Sequence, residues 1–232
     1  MKFVKKVGVQ MEKYFNADLK RRIKILNTYQ IDTLFDIGAN VGRYALIMRK
    51  AGYSGKIISF EPMSAAFEQL KNNSKNDKNW IINHYGLGNE NTETEINISN
   101  NSYSSSILNI MPTHVESAPN SRYVAKEEIQ LKTFDSVFKS FYKKESRIMM
   151  KIDTQGFEKH VLEGAENSLK DVEVLQLEMS LVPLYENEML YLDMIHYLSS
   201  KGFHLYSLES GFSNPNTGQL LQADGIFVRN IL

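Results

Sequence analysis

From residue 33 onward, the chain alternates short apolar runs with longer helical patterns. The apolar runs are rich in β-branched and aromatic residues and are nearly uninterrupted, as expected for strands covered on both faces. Strands are predicted at residues 33–36, 56–60, 80–85, 147–152 and 174–179, and helices at residues 41–51, 64–73, 133–143, 157–169 and 188–200. This rhythm of βα units predicts an α/β fold built on a mostly parallel sheet.

Antiparallel strands are predicted outside the βα rhythm. Residues 89–98 and 128–132 form one predicted set, and residues 203–208 and 224–229 form a terminal pair added at the sheet edge. The Ser/Asn-rich residues 99–123 are too many for a simple connection, so we expect a loop that covers a substrate, with a disordered loop as the alternative.

One domain is predicted over residues 1–232, because no repeat or linker divides the chain. Residues 1–30 are predicted to be a helical segment that precedes the sheet. The N-terminus lacks the apolar segment and cleavage site of a signal peptide, and no stretch approaches the roughly 18 apolar residues of a membrane span. We therefore expect a cytoplasmic protein without a membrane span.

The composition does not indicate a strongly charged binding partner. Lys plus Arg and Asp plus Glu both total 27, so no overall positive field would attract a nucleic acid. The chain has no cysteine, which excludes disulfides and thiolate metal sites. We expect a small-molecule or glycan acceptor rather than a nucleic acid, and the oligomeric state stays open, a homodimer included.

A glycine turn follows the first predicted strand. The motif DIGANVG places Asp36, Gly38 and Gly42 where the strand leads into a helix, so the glycines allow a tight turn and a close ligand approach. Glu61 follows the next strand, where such folds bind a ribose diol. The motif lacks the glycine spacing of dinucleotide binders and of P-loops.

The charge of this turn favours one kind of cofactor. Asp36 would repel a phosphate and attract a positive charge, which suits S-adenosylmethionine, a nucleoside with a cationic tail and no phosphate. A plainer interpretation stays open, in which the glycines only turn the chain and Asp36 caps the helix.

Two more acids follow predicted strands further along the chain. Asp153 ends the strand of IMMKIDTQGFE, and Glu178 lies near the end of VEVLQLEMS. The carboxyl ends of parallel strands meet at one edge, so we expect Asp36, Glu61, Asp153 and Glu178 to share one rim.

Several motifs together resemble the FkbM family of methyltransferases: LFDIGANVGRYAL, FEP, SSSIL, LKTFDSV, MKIDTQGFEKHVLEGA and LQLEMS. The resemblance covers roughly residues 31–229. It implies a Rossmann-like, doubly wound sheet of seven strands, mostly parallel with an antiparallel C-terminal strand, with helices on both faces and S-adenosylmethionine as cofactor. Many members methylate hydroxyls of sugars, glycolipids or polyketides.

The resemblance also implies roles for single residues. The implied cofactor contacts are Asp36, Gly38, Asn40 and Gly42 in the glycine turn, Glu61 at the ribose, and Gly86 and Leu87 near the adenine. Asp153 would lie beside the transferred methyl group. Gln155 stands where many relatives have Glu, which removes a charge and weakens any metal-ligand role there.

Methyl transfer to a hydroxyl needs a group that takes its proton. Asp153 is the first candidate, as a base or an orienting carboxylate, and its alternative role is to cap the following helix. His114 is the second candidate because it lies in the long loop, where it would otherwise be a solvated side chain.

The remaining candidates concern the acceptor and a metal. Ser105 and Ser106 offer hydroxyls to a polyol, and Gln155 and Glu178 complete the predicted acceptor site. Asp153 and Glu178, with Glu158, offer hard oxygen ligands to Mg²⁺ or Ca²⁺, although Glu158 could instead face solvent on its helix. A divalent metal fits this set without being required.

The sequence therefore predicts an S-adenosylmethionine-dependent O-methyltransferase that acts on a hydroxyl of a sugar, glycan or glycolipid precursor. Two alternatives stay open. One is a nucleotide-linked oxidoreductase, which shares the doubly wound sheet, and the other is a non-catalytic cofactor-binding module, which Gln155 keeps under consideration.

Overall fold

A seven-stranded sheet lies at the centre of the computed structural model, which describes residues 17–229. Its strands are β1 (Thr33–Ile37), β2 (Lys56–Phe60), β3 (Trp80–Asn83), β7 (Ile148–Ile152), β8 (Val172–Ser180), β9 (His204–Ser210) and β10 (Gln222–Val228). The order is β3-β2-β1-β7-β8-β10-β9; β10 pairs antiparallel with both β8 and β9, and all other pairs in this sheet are parallel. The predicted fold class is confirmed.

Helices cover both faces of this sheet, as the fold class requires. One face carries α1 (residues 17–28), α2 (Arg43–Lys50) and α3 (Ser64–Ser74), and the other carries α5 (Phe134–Phe138), α6 (Glu158–Glu163) and α7 (Tyr191–Ser200). Strand β1 shows why: Leu34 belongs to the apolar cluster of the first face and Phe35 to that of the second. Successive side chains of a strand point to opposite faces, so both faces of a buried strand are apolar.

A second sheet contains β4 (Gly86–Leu87), β5 (Thr92–Ser99) and β6 (Tyr123–Lys132) in the order β4-β6-β5. The β5–β6 pair is antiparallel, as predicted, but β6 begins earlier than the predicted strand at residue 128. This sheet lies outside the βα rhythm, and each of its strands contributes to the lining of a cavity.

Residues 99–123 differ from the predicted loop. They contain the short helix α4 (Pro112–Ser117) and a 3-10 turn (Pro119–Ser121). The Asn97 side chain also donates to the carbonyls of Ser106 and Leu108, at 3.2 and 3.3 Å. The segment's polar groups bond to β5, and Pro112 suits the first turn of a helix.

Two helices, α5 and α6, have about half the predicted length. Helix α6 ends at Glu163 because Gly164 lies against the second sheet, where a Cβ atom would come within 1.9 Å of the Gly88 carbonyl oxygen. Helix α5 gives way after Phe138 to turns whose hydrogen bonds reach back three residues, as from Phe141 N to Phe138 O. The predicted terminal pair corresponds to β9 and β10, and β10 lies inside the sheet.

Helix α1 agrees with part of the helical segment predicted over residues 1–30, and residues 1–16 lie outside the described residues. None of the described helices has the length and hydropathy that crossing a bilayer requires. The prediction of a single domain over the whole chain stays a prediction.

Gly38 offers a test of how tightly the strand-end turns pack. We expect Gly38→Ala to lower the free energy of unfolding more than Gly218→Ala. Gly218 is a matched control, because the two glycines have similar φ angles, 73° and 76°. Both variants carry left-handed strain of about 1–2 kcal/mol. Only at Gly38 would the new Cβ also clash with the backbone, 1.9 Å from the carbonyl oxygen of Asp153. This clash adds about 1–3 kcal/mol to the loss of stability. Urea unfolding measures both, and equal losses would contradict the close approach.

Candidate functional site

A cavity of about 290 Å³ opens at the carboxyl ends of the parallel strands. Open α/β sheets bind their ligands at this edge. The polar part of its lining includes Asn40, Glu61, Ser105, Asp153, Gln155 and Glu178, and the apolar part includes Met63, Leu87, Ile96, Ile107, Leu131 and Phe157. The central sheet, the second sheet and the segment after β5 therefore enclose one space with a polar and an apolar wall.

The turn after β1 is fixed by hydrogen bonds to β2. The N–H groups of Gly38 and Ala39 donate to the Phe60 carbonyl at 3.1 and 3.0 Å. Glu61 then accepts from the N–H of Asn40 at 2.7 Å and from that of Met63 at 2.8 Å. Burial raises the pKa of Glu61 to about 7, although these two hydrogen bonds oppose the shift. Glu61 is thus held in place with its carboxyl group at the cavity.

Gln155 joins the two acids at the other side of the cavity. Its Nε2 donates to Asp153 Oδ1 at 2.8 Å and to Glu178 Oε2 at 2.6 Å, while its Oε1 accepts from the Tyr185 hydroxyl at 2.7 Å. Gln222 also donates to Glu178 Oε2, at 2.9 Å. Burial, followed by the charge of Asp153, raises the pKa of Glu178 well above its ordinary value.

A buried lysine lies behind this pair of acids. The Nζ of Lys151 is 3.1 Å from Asp36 Oδ1 and 3.5 Å from Asp153 Oδ2, and it donates to the Gly38 carbonyl at 3.3 Å. Only 8% of the Lys151 side chain is exposed. Burial alone would lower the pKa of Lys151, but Asp36 and Asp153 raise it on balance, so the amine stays charged. Lys151 thereby links the glycine turn to the strand end that carries Asp153.

Glu158 stabilises the loop between β7 and α6. Its Oε1 accepts from the N–H of Thr154 at 2.8 Å, from the Thr154 hydroxyl at 3.2 Å and from the N–H of Gly156 at 3.3 Å. Burial raises the pKa of Glu158 to about 7. The alternative in which Glu158 faces solvent is therefore wrong, since the residue is buried and the bonds of its Oε1 are made within its own loop.

The segment after β5 is tied to the same loop. The Ser106 hydroxyl donates to the Gln155 carbonyl at 2.7 Å, and the Ser105 hydroxyl accepts from the Ser99 N–H at 3.0 Å. Ser105 lines the cavity, together with Ser102 and Tyr103, whereas Ser106 acts as a link rather than as part of the lining. These contacts place the segment over one side of the cavity.

Most of the predicted site residues come together. Nine of them line the cavity: Gly38, Asn40, Glu61, Gly86, Leu87, Ser105, Asp153, Gln155 and Glu178. Their individual roles toward a ligand stay predictions. Asp36, Gly42, Ser106 and His114 are not part of the lining.

Asp36 has a different position from the one predicted. It lies within β1, where it is fully buried and faces Lys151 instead of the cavity. It also does not cap α2, because the N-cap residue is Gly42 and no side chain bonds there. Gly42 packs against Leu70 and Trp80, where a Cβ atom would come within 2.7 Å of either side chain.

His114 is not in a solvent-exposed loop. It lies on α4 with 3% of its surface exposed, and its ring packs against Tyr185 at 5.2 Å and Phe212 at 5.3 Å between centroids. Burial lowers the pKa of His114 to about 4, so the ring is neutral at pH 7. A ring outside the cavity lining, and made weakly basic by its low pKa, does not fit the predicted second base.

The structure also bears on two other interpretations, Asp153 as a helix cap and a divalent metal site. Asp153 does not cap α6, whose N-cap residue is Phe157 and which has no side-chain cap. Within residues 17–229, no group of three or more acidic or histidine side chains is arranged to hold a metal ion.

Two residues of this site have no predicted role. Lys151 could have been noticed, since a charged residue inside the apolar run IMMKI must find a partner when buried. Tyr185, which bonds Gln155 and the Ser104 carbonyl, carries no such signal because it lies in an irregular segment far along the chain.

A family model, described as the methyltransferase FkbM domain, matches residues 36–205. The match covers more than half of the chain. The chain belongs to the FkbM methyltransferase family. The matched region includes the glycine turn, Glu61, Asp153 and Glu178, so the family's domain contains most of the cavity described above.

Solved structures share the fold of this FkbM-family chain at low identity. The methyltransferase FkbM from Methylobacillus flagellatus KT is 14% identical, with a TM-score of 0.50 over 84% of this chain and 43% of that protein. TehB from Haemophilus influenzae is 11% identical, with a TM-score of 0.50 over 92% of this chain and 62% of TehB. The chain therefore spans less than two thirds of either protein. No curated protein sequence matches it.

We expect Lys151→Met to lower the free energy of unfolding by about 3–5 kcal/mol, because the variant leaves Asp36 buried without its counter-charge. The control is Lys126→Met, which breaks an exposed ion pair with Glu95 and should cost less than about 1 kcal/mol. Urea unfolding at pH 7 measures both variants. A loss below 1 kcal/mol for Lys151→Met would show that the buried pair is not needed.

Proposed function

We propose that this protein is an S-adenosylmethionine-dependent O-methyltransferase that acts on a hydroxyl of a sugar, glycan or glycolipid precursor. The observation that carries the proposal is the single cavity at which Glu61, at the end of β2, and Asp153, at the end of β7, flank the glycine turn of β1. Membership of the FkbM family supports the methyltransferase class.

The residues present fit the proposed cofactor. Glu61 is positioned to accept hydrogen bonds from a ribose diol, because its two backbone donors leave lone pairs free on both oxygens. The apolar wall near Gly86 and Leu87 suits an adenine ring. The lining contains no lysine or arginine in the described chain, which suits a cofactor without phosphate groups.

Asp153 is the residue best placed to serve the reacting hydroxyl. Its side chain is 37% exposed and lines the cavity, while Lys151 lies beside one carboxylate oxygen and Gln155 bonds the other. S-adenosylmethionine, when bound, supplies an electrophilic methyl group. Asp153 would accept the hydrogen bond of the acceptor hydroxyl and take its proton as the new carbon–oxygen bond forms. Lys151 and Gln155 would hold the carboxylate in one orientation.

The oxidoreductase and the non-catalytic binding module differ from the proposal in ways that can be observed. An oxidoreductase that uses a nucleotide needs a turn that tolerates a pyrophosphate, and neither the glycine spacing nor the lining supplies one. A binding module without turnover would retain the cofactor contacts but transfer no methyl group.

The affinity for the cofactor product tests the proposed ribose contact of Glu61. We expect Glu61→Ala to weaken the affinity for S-adenosylhomocysteine by about 1.5–3 kcal/mol, the cost of a lost hydrogen bond to a charged group. Isothermal calorimetry measures it, and circular dichroism checks that the variant is folded. Glu68→Ala, at an exposed position on α3, should bind like the unchanged protein. Unchanged affinity of a folded Glu61→Ala protein would refute the ribose assignment, and binding of NAD instead would favour the oxidoreductase.

Transfer itself is tested with labelled cofactor. We expect the protein to move tritium from methyl-labelled S-adenosylmethionine into the glycan and glycolipid fraction of cells that lack the gene. The label should survive mild alkali, because a methyl ether resists hydrolysis whereas a methyl ester does not. Asp153→Asn should reduce transfer by roughly 10²–10⁴-fold, the usual contribution of a general base, and should leave the affinity for S-adenosylhomocysteine within about threefold.

The outcomes separate the alternatives. Binding of S-adenosylhomocysteine without transfer to any fraction would favour the non-catalytic module. Transfer that persists in Asp153→Asn would remove Asp153 from the proton-transfer step. Label that alkali releases would identify a carboxylate acceptor in place of a hydroxyl.

A further inference from the structure

In the described part of the chain, the cavity lining contains acidic but no basic residues. Its titratable residues are acids, apart from one tyrosine: Glu61, Asp153 and Glu178 belong to it, and no lysine, arginine or histidine does. Lys151, the cation beside Asp153, is outside the lining and is paired with Asp36 and Asp153. An anionic ligand would therefore meet carboxylates with no exposed positive charge to offset them.

The acids at the β7 and β8 ends belong to the side on which an acceptor must react. Gln155 bonds both Asp153 and Glu178, so the two carboxylates lie within reach of one amide group. Glu61 lies apart from them, bonded to the turn after β1 and to the start of α3. A phosphate or carboxylate beside the reacting hydroxyl would thus meet the negative charge of Asp153, and Glu178 beside it supplies no positive charge.

The volume of the cavity indicates where the acceptor lies. About 290 Å³ is near the lower end of the range for pockets that bind small molecules, so the proposed cofactor would occupy most of it. The acceptor would then approach from the mouth and place only its reacting hydroxyl inside. Its recognition depends on the residues at that mouth.

Tyr103 is the aromatic residue at this position. It belongs to the lining, yet 51% of its surface is exposed. The backbone on either side is held by local hydrogen bonds, from Ser104 N to the Asn101 side chain at 2.9 Å and from the Asn40 side chain to the Ser102 carbonyl at 3.4 Å. An exposed ring on a fixed backbone offers a flat apolar surface on which the C–H face of a sugar ring can stack.

We propose that the acceptor presents an uncharged or amine-bearing sugar ring that stacks on Tyr103, and that Asp153, in a lining without a positive charge, excludes sugars with a phosphate or carboxylate at the reacting ring. This inference rests on the proposed function and narrows its substrate class. The lone pairs of Ser102 and Ser105 and the carboxylates supply hydrogen-bond acceptors for neutral hydroxyls and for an ammonium group.

Saturation-transfer NMR on the protein loaded with S-adenosylhomocysteine tests the charge preference, because it detects weak sugar binding. The probes are the methyl glycosides of glucose, mannose and rhamnose, together with glucosamine, glucose 6-phosphate and glucuronate. We expect signals at the ring protons of one or more neutral or amine-bearing probes, and signals at least fivefold weaker for the phosphate and the carboxylate. Equal or stronger signals for the anionic sugars would overturn the proposal, and so would the absence of a signal for every neutral and amine-bearing probe.

Tyr103→Ala tests the stacking surface. We expect it to remove the sugar signals by at least fivefold and to leave the calorimetric affinity for S-adenosylhomocysteine within twofold. The control is Tyr206→Ala, which removes a ring of similar exposure, 47%, from the edge strand β9. Sugar signals that persist in Tyr103→Ala, or that disappear equally in Tyr206→Ala, would overturn the stacking role.

Calorimetry keeps this inference separate from the proposed function. If S-adenosylhomocysteine does not bind, the proposed function fails and the inference fails with it. If S-adenosylhomocysteine binds but the sugars show no preference for neutral rings or no dependence on Tyr103, only the inference fails.

Discussion

A single buried amine holds the two halves of the candidate site together. Lys151 lies next to Asp36 in the pairing of β1 with β7, and the same amine reaches Asp153 and the Gly38 carbonyl. The carboxylate of Asp36 and the amine of Lys151 are costly to bury separately, and together they offset much of that cost. The ion pair therefore fixes the relative position of the two strand-end turns, one at the proposed cofactor and one at the proposed reacting group.

The rest of the cavity depends on that position. Once β7 ends beside the glycine turn, Asp153 faces the cavity and Gln155 can bond Asp153 and Glu178 together. Gln155 and Gly156 both have positive φ angles, 55° and 93°, so the loop turns sharply enough for Glu158 to reach its N–H groups. Ser106 and Tyr185 then attach the outer segment to the same glutamine. A local turn thus supports the wall of the cavity.

The sequence predicts the sheet and about two thirds of the site, for a physical reason. Buried parallel strands are continuous apolar runs, and polar residues that follow them must lie at the carboxyl edge, which located Glu61 and Asp153. Asp36 could not be placed this way, because it lies inside β1, where alternation puts it on the same face as Leu34. His114 and Glu158 were misplaced because the groups that bury them are contributed by other segments or by an unusual turn.

Gln155 also bears on how this site could work without a third acid. A glutamate at this position would put three carboxylates in contact, and such a group needs a proton or a cation to persist. The amide instead donates to both Asp153 and Glu178 and accepts from Tyr185 through its oxygen. Every polar atom of the Gln155 side chain is thus engaged, and the amide nitrogen lies where a bridging cation would have to sit. The donor set of this chain therefore favours an acid pair held by an amide over one held by a metal ion.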